Sequence, residues 1–217
     1  DIEKDICKLK EIKKEVEGRL SGINSCHELE HTERVYNLAI HIGKKENADL
    51  EVLGLAAILH DIARKEQDES GGKIDHAIRG AELAAQILEK YNLPKEKLDN
   101  IVHCISTHRF RNDNKPETLE AKILYDADKL DAVGAIGIGR AFAFAGHLGA
   151  KVHDENVDME SKAEYTKDDT AYREFLVKLC RIKDKVLTDE GKRIATERHQ
   201  FMEHFFERIN KEVKGQA

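Results

Sequence analysis

Tryptophan is absent, proline occurs only twice, and aromatic residues make up 6% of the 217 residues. Two prolines leave little to interrupt helices, and the wealth of Lys, Glu, Ala and Leu favours long ones. No run of eighteen apolar residues occurs, which excludes a membrane-spanning helix. The start, Asp1-Ile2-Glu3-Lys4-Asp5, is charged and helical in pattern, so it does not read as a signal peptide. The four cysteines, Cys7, Cys26, Cys104 and Cys180, form no Cys-x-x-Cys pair, so zinc-ribbon and thioredoxin readings fail. Scattered thiols of this kind are expected in a reducing, cytoplasmic setting. Basic charge is not in excess: 36 Lys and Arg stand against 42 Asp and Glu, a formal net charge of −6. That balance argues against a dedicated nucleic-acid surface. Gly134, Gly137 and Gly139 follow a helix pattern, and no Gly-Lys-Ser or Gly-Lys-Thr follows them, so the phosphate-loop signal is weak. Close helix packing, or a break that admits substrate, accounts for them better.

What is present is helical periodicity, a 40% hydrophobic content sufficient for a core, and eleven histidines. Ile2, Ile6, Leu9, Ile12, Val16 and Leu20 form one apolar stripe over residues 2–20. Over 28–46 the stripe is Val35, Leu38, Ala39 and Ile42, and His31 shares its inward face. Asp49 suits the capped start of a helix over 49–63 that becomes nearly all apolar through Leu55–Leu59, a run that His60-Asp61 ends. Residues 64–73 read as an exposed loop, 76–91 as a helix capped by Asp75, and 95–108 as a helix entered through Pro94. Residues 109–116 read as a loop, and 117–146 as helix with a break near Gly134–Gly139. The charged stretch 150–168 is expected to be a long connection of the kind that forms lids. Residues 169–187 and 189–214 are two further helices, the last burying Ile194, Phe201, Met202, Phe205 and Ile209. No strand alternation occurs, so the expected fold is all-α, with seven or more helices around one core.

His60-Asp61 follows the most apolar stretch of the chain. Burying an imidazole with a carboxylate is costly unless the two are paired or bind a cation. A hydrogen-bonded pair alone would satisfy them. His31 on an earlier buried face, and Asp126, Asp128 and Asp131 beside apolar residues, change the balance. Two imidazoles and two carboxylates from three helices form a mixed N/O donor set suited to Mn²⁺, Fe²⁺, Ni²⁺, Co²⁺ or Zn²⁺, and less well to Mg²⁺. Four protein ligands in an octahedral site leave room for water and a substrate oxygen.

His31-Thr32-Glu33-Arg34-Val35, Leu59-His60-Asp61-Ile62 and Asp126-Ala127-Asp128-Lys129-Leu130-Asp131 resemble, in order and spacing, the H…HD…D signature of the HD-domain phosphohydrolase superfamily. The segments 75–81, 188–193 and 198–202 are similar to a subgroup of small stand-alone HD proteins. The resemblance implies a single HD-type helical bundle over 1–217, with a core over about 20–147 and additional C-terminal helices over about 169–214. It implies one divalent metal ion held by His31, His60, Asp61 and Asp128, with Asp128 chosen as the acid of the Ala-Asp-x-Leu step. Asp131 then stands ready to orient a ligand or a water. Relatives often place an acid three or four residues past the doublet to assist water, but Arg64 and Lys65 stand there, with Glu66 next.

Catalytic roles are expected for Asp61, for Lys129 as a compact cation beside Asp128, and for Arg64 as a phosphate partner. Arg34, one turn after His31, suits a phosphate, or else a surface pair with Glu30 or Glu33. His76 and His108 sit at helix ends, where they could bind a second metal, bind a phosphate, or simply cap. Arg79, one turn after His76, is a weaker substrate-binding candidate. His103 lies roughly 140° from His108 on their helix, so both are not expected at one site. His27, His41, His199 and His204 read as structural or surface residues, His147 and His153 as exposed, and the cysteines as small core residues.

The activity that the resemblance implies is hydrolysis of a phosphoester or phosphoanhydride in a nucleotide or related small phosphate compound. The alternatives are an HD-type di-iron oxygenase, with His76 and His108 on a second iron, and a non-catalytic, metal-stabilised nucleotide-binding module. A cyclic-dinucleotide phosphodiesterase would carry Gly-Tyr-Pro where Arg109-Phe110-Arg111-Asn112 stands, and a (p)ppGpp hydrolase would carry acids directly after the doublet. No membrane partner is expected, and an apolar side on the terminal helices would suit a homodimer.

Overall fold

The computed structural model describes residues 2–20, 25–111, 113–160 and 164–217, with side chains described from residue 8 to 20 and again from residue 29. Cys7, Cys26 and His27 therefore lie outside the described side chains. Among the described residues there are helices and no strand. They are α1 (Ile2–Leu20), α2 (Ser25–Glu46), α3 (Leu50–Leu59), α4 (Arg64–Glu69), α5 (His76–Leu88), α6 (Lys95–Thr107), α7 (Leu119–Leu130), α8 (Gly134–His147), α9 (Ala171–Val177) and α10 (Asp189–Glu212). Short 3₁₀ turns follow α5 and α9.

The chain divides into two compact units, residues 1–128 and 129–217. In the first, α3 packs against α1, α2 and α6, and α5 packs against α6. Asp49 caps α3 by accepting from the Glu51 and Val52 amides at 3.0 and 3.2 Å. From Val52 to Leu59 every residue of α3 is buried, as its unbroken apolar run requires. On α2, His31, Val35, Ala39 and Ile42 form the buried stripe, while Leu38 is only half-buried. Gly80 lets α5 approach the end of α3: a Cβ there would lie 3.4 Å from the His60 carbonyl oxygen. Cys104 is buried in this unit.

In the second unit α10 packs against α8 and the 3₁₀ turn after α9, and α8 packs against α9. Its centre is Phe206, ringed by Phe175 at 4.9 Å, Tyr172 and Phe205 at 5.2 Å and Phe142 at 6.4 Å between centroids. This corrects the sequence reading of α10. Ile194 and Met202 are buried, Phe205 and Ile209 half-buried, but Phe201 is 51% exposed. The buried line runs through 195, 199, 202 and 206, and Phe201 lies about 100° from Met202 on the helix.

Two other segments differ from expectation. Residues 64–69, expected as loop, form α4, and the loop begins only at Gly71 and Gly72, both at positive φ. The single helix expected over 169–187 is α9 followed by a 3₁₀ turn over Leu179–Asp184. The break in 117–146 falls at 131–133, just before Gly134, whose φ of 79° and close approach to the Arg198 side chain need a residue without Cβ.

Candidate metal centre

Four of the candidate residues sit at helix ends. His60 is the C-cap of α3 and Asp61 the next residue; His108 is the C-cap of α6; His76 opens α5. The last carbonyls of a helix lack intrahelical partners. His60 Nδ1 donates to Ala57 O at 2.7 Å, and His108 Nδ1 donates to Ile105 O at 2.6 Å. Each ring thus satisfies its own helix end and turns Nε2 outward. His31 comes from the buried stripe of α2 and Asp128 from the last turn of α7.

These side chains converge in the first unit. The four imidazoles form a row, His31, His60, His108 and His76, with neighbouring centroids 5.4, 5.2 and 5.2 Å apart. They fall into two triads, His31–His60–Asp128 and Asp61–His76–His108. In the first, His31 Nε2 is 3.2 Å from Asp128 Oδ1 and 3.4 Å from His60 Nε2. In the second, His76 Nε2 is 3.0 Å from Asp61 Oδ1 and 3.3 Å from His108 Nε2. Asp61 faces both: its Oδ2 lies 3.7 Å from His31 Nε2 and 3.6 Å from His60 Nε2, while its Oδ1 faces His76 and His108.

The electrostatics fit a cation. Burial pushes His60 and His76 below the ordinary imidazole value, so both rings are neutral near pH 7. Burial acts to raise Asp61 and Asp128, yet the surrounding imidazoles, which take up charge as the pH falls, hold both carboxyls below the ordinary range, His60 foremost for Asp61 and His31 for Asp128. With its Nδ1 proton given to the Ala57 carbonyl, neutral His60 presents a bare Nε2 lone pair toward two ionised carboxylates. Lone pairs and carboxylates packed at 3–4 Å repel one another unless a proton or a metal ion lies between them. Nitrogen and oxygen donors together suit a divalent metal, and Asp61 offers one oxygen to each triad.

The remaining candidates are placed as follows. Arg34 is half-buried on α2, with Nη1 3.9 Å from Glu30 Oε2. Arg64 opens α4, half-buried, close enough for its charge to depress both His76 and Arg109. Lys129 is half-buried next to Asp128. Arg79 is not brought to the triads by any described bond: it is held by Glu66 at 2.8 Å and Glu82 at 2.9 Å. Glu66, the first acid after the His60-Asp61 doublet, is therefore engaged with Arg79. Asp131 accepts from Arg140 Nη1 at 2.7 Å. His103 accepts from the Glu117 amide at 3.0 Å, away from His108. His41, His147 and His204 are exposed; His153, expected to be exposed, is half-buried and its Nε2 donates to Asn210 Oδ1 at 2.6 Å; His199 is buried beside Lys183.

Two residues of the site were not singled out by sequence. Gln67 on α4 touches His76, and Arg109 touches Gln67. Arg109 directly follows His108, as Lys129 follows Asp128, and that adjacency was the available signal. Gln67 lies in a stretch that reads as loop and carries no signal of its own.

The HD domain model matches residues 29–133, a span that contains all six triad residues. Across the whole chain there is 35% identity over 218 residues to the Bacillus subtilis protein YpgQ, covering 98% of this chain and 97% of that one. A crystal structure of YpgQ in complex with ADP superposes with a TM-score of 0.72 at 32% identity, over 96% of each chain. A crystal structure of an HD-superfamily hydrolase from Bacillus thuringiensis superposes with a TM-score of 0.77 at 29% identity, over 98% of this chain and 100% of that one.

Proposed function

Because this chain belongs to the HD-domain family and is a metal-dependent phosphohydrolase in that general sense, we propose that its substrate is a nucleotide or a related small phosphate compound, cleaved at a phosphoester or phosphoanhydride bond. The observation that carries the reading is the buried convergence of four imidazoles on two carboxylates, with Asp61 facing both triads. His31, His60, Asp61 and Asp128 would hold one divalent cation. His76 and His108, with the other oxygen of Asp61, would hold a second cation or a substrate phosphate. A cation there supplies Lewis acidity, polarising a phosphoryl oxygen and lowering the pKa of water.

The chain's own cations do the rest. Arg64 lies beside the second triad and Lys129 beside Asp128, where each would neutralise phosphate charge, and Arg34 would do so one turn from His31. Arg79 has no such role, because two glutamates engage its guanidinium. The nucleotide assignment draws support from the ADP bound to the Bacillus subtilis relative.

The test is a hydrolysis screen of the chain stripped by chelator and reloaded with Mn²⁺, Mg²⁺, Co²⁺, Ni²⁺ or Zn²⁺. Substrates are ribo- and deoxynucleoside mono- and triphosphates, with phosphate and pyrophosphate detected separately. Metal-dependent turnover that disappears in Asp128→Ala is expected. No turnover with any metal, while nucleotide still binds, would make the chain a binding module. The carboxylate shared by two triads also favours a second reading, a di-iron oxygenase. Oxygen uptake by the iron-loaded chain, without phosphate release from any nucleotide, would select it.

A further inference from the structure

Three of the four imidazoles have their Nδ1 partner visible, and the kind of partner follows from the helix end. His60 and His108 close helices, where unused carbonyls face them, and each donates to the carbonyl three residues back. His76 opens α5, where the backbone offers only N–H groups. An acceptor for its Nδ1 has to come from elsewhere, and it comes from Gln67, whose Oε1 lies 2.8 Å away.

A glutamine amide is an ambiguous partner, since its oxygen and nitrogen can exchange places. Here a third residue removes the ambiguity. Arg109 Nη1 lies 3.0 Å from the same Gln67 atom. A guanidinium only donates, so the atom facing it must be the oxygen. The His76 backbone amide, 3.4 Å away, faces the same atom and is also a donor. Arg109 Nη1 also lies 3.4 Å from Nδ1 of His76, but the Gln67 oxygen is nearer, at 2.8 Å, and with Oε1 fixed there the closer contact places the proton on Nδ1. A bare Nδ1 would set two lone pairs 2.8 Å apart.

The alternative tautomer is a real competitor. Its Nε2–H would donate to Asp61 Oδ1 at 3.0 Å, tying up the nitrogen and the carboxylate oxygen that the second triad presents. We infer that Gln67, oriented by Arg109, is a positioning residue that selects the Nδ1–H tautomer of His76 and so keeps Nε2 open toward Asp61 and His108. The inference rests on the reading of the two triads as a cation site, but its own content is the tautomer of one ring. Outer partners of this kind change metal affinity by about 10–100-fold when removed.

The experiment reads that tautomer directly. Long-range ¹H–¹⁵N correlation spectra of the metal-free, full-length chain distinguish a protonated Nδ1 from a protonated Nε2, with His76→Asn assigning the signal. Wild type is expected to show His76 protonated at Nδ1. Gln67→Leu, which keeps bulk and removes the acceptor, moves the proton to Nε2, and Gln67→Glu restores the wild-type pattern because a carboxylate accepts from both His76 and Arg109. Arg109→Ala shifts the ring partway by freeing the amide to turn. Titration calorimetry with Mn²⁺ then shows weakening by about 10–100-fold in Gln67→Leu and recovery in Gln67→Glu. An Nδ1–H signal that persists in both Gln67→Leu and Arg109→Ala would overturn the inference. If wild type binds no divalent metal, the cation reading fails, and the spectra still decide the role of Gln67.

Discussion

Asp61 divides its two oxygens between two sets of imidazoles, so its removal acts on both triads at once. Asp61→Asn keeps the shape and loses the charge. Its metal affinity is expected to fall by more than the roughly 100-fold that follows loss of an outer partner, and calorimetric titration of the variant checks this. A weakening of only a few-fold would leave Asp61 outside the coordination. The same residues make the metal-free chain acid-sensitive, and the sign is fixed. His60 and His76 have lowered folded values, so the unfolded chain binds more protons below about pH 6.5, and stability falls as pH drops through that value. Asp61 and Asp128 are also lowered, so the stability they contribute is present above about pH 3.9 and is lost as pH falls below it toward their folded values. Urea unfolding should therefore give a lower stability at pH 5.5 than at pH 7.5, with a smaller difference in His76→Asn. Equal stabilities at the two pH values would contradict neutral, buried imidazoles. At this scale the motif made the clustering of His31, His60, Asp61 and Asp128 legible, because their spacing survives in one dimension. Gln67 was not legible, since its partners lie 9 and 42 residues away and only the fold brings them together.

At the scale of elements, periodicity was read more easily than phase. The stripe on α2 that carries His31 is visible in sequence because Val35, Ala39 and Ile42 repeat with it. On α10, Phe201, Phe205 and Phe206 all offer apolar bulk, and the choice among them is made by aromatic partners from α8 and α9 that no local pattern contains. Phe206→Ala should cost about 3–5 kcal/mol in unfolding free energy, whereas Phe201→Ala should change it by less than about 0.5 kcal/mol. Chemical denaturation of the two variants compares them, and equal losses would mean that Phe201 is buried in solution. The approach of α5 to α3 is a similar case. Gly80 faces the His60 carbonyl, and a Cβ there already sits at contact distance. Gly80→Leu has no room and should push His76 away from Asp61, lowering metal affinity together with stability, while Gly80→Ala should retain both. Metal titration of the pair separates a packing requirement from a helix-propensity effect, because Ala improves propensity at this site.

For the whole molecule, the net charge of −6 would repel a phosphate substrate, and the local charge opposes it. Arg64, Arg109 and Arg111 lie near enough to influence one another around the second triad, since Arg109 is lowered first by burial and then by the charges of Arg111 and Arg64. Among the described residues no carboxylate forms an ion pair with Arg64 or Arg111, and Asp75 reaches Arg109 only at 4.0 Å. A surplus of this kind attracts anions at short range, and its reach shrinks with salt, since the screening length is about 10 Å at 0.1 M and about 3 Å at 1 M. The Michaelis constant for a nucleoside triphosphate should therefore rise with ionic strength. Arg111 is exposed and touches neither triad, so Arg111→Ala should raise that constant a few-fold at low salt, leave kcat near wild type and flatten the salt dependence. Initial rates across a salt series in both proteins measure the two slopes. Identical slopes would mean that the global negative charge, and not this cationic corner, governs how the substrate arrives.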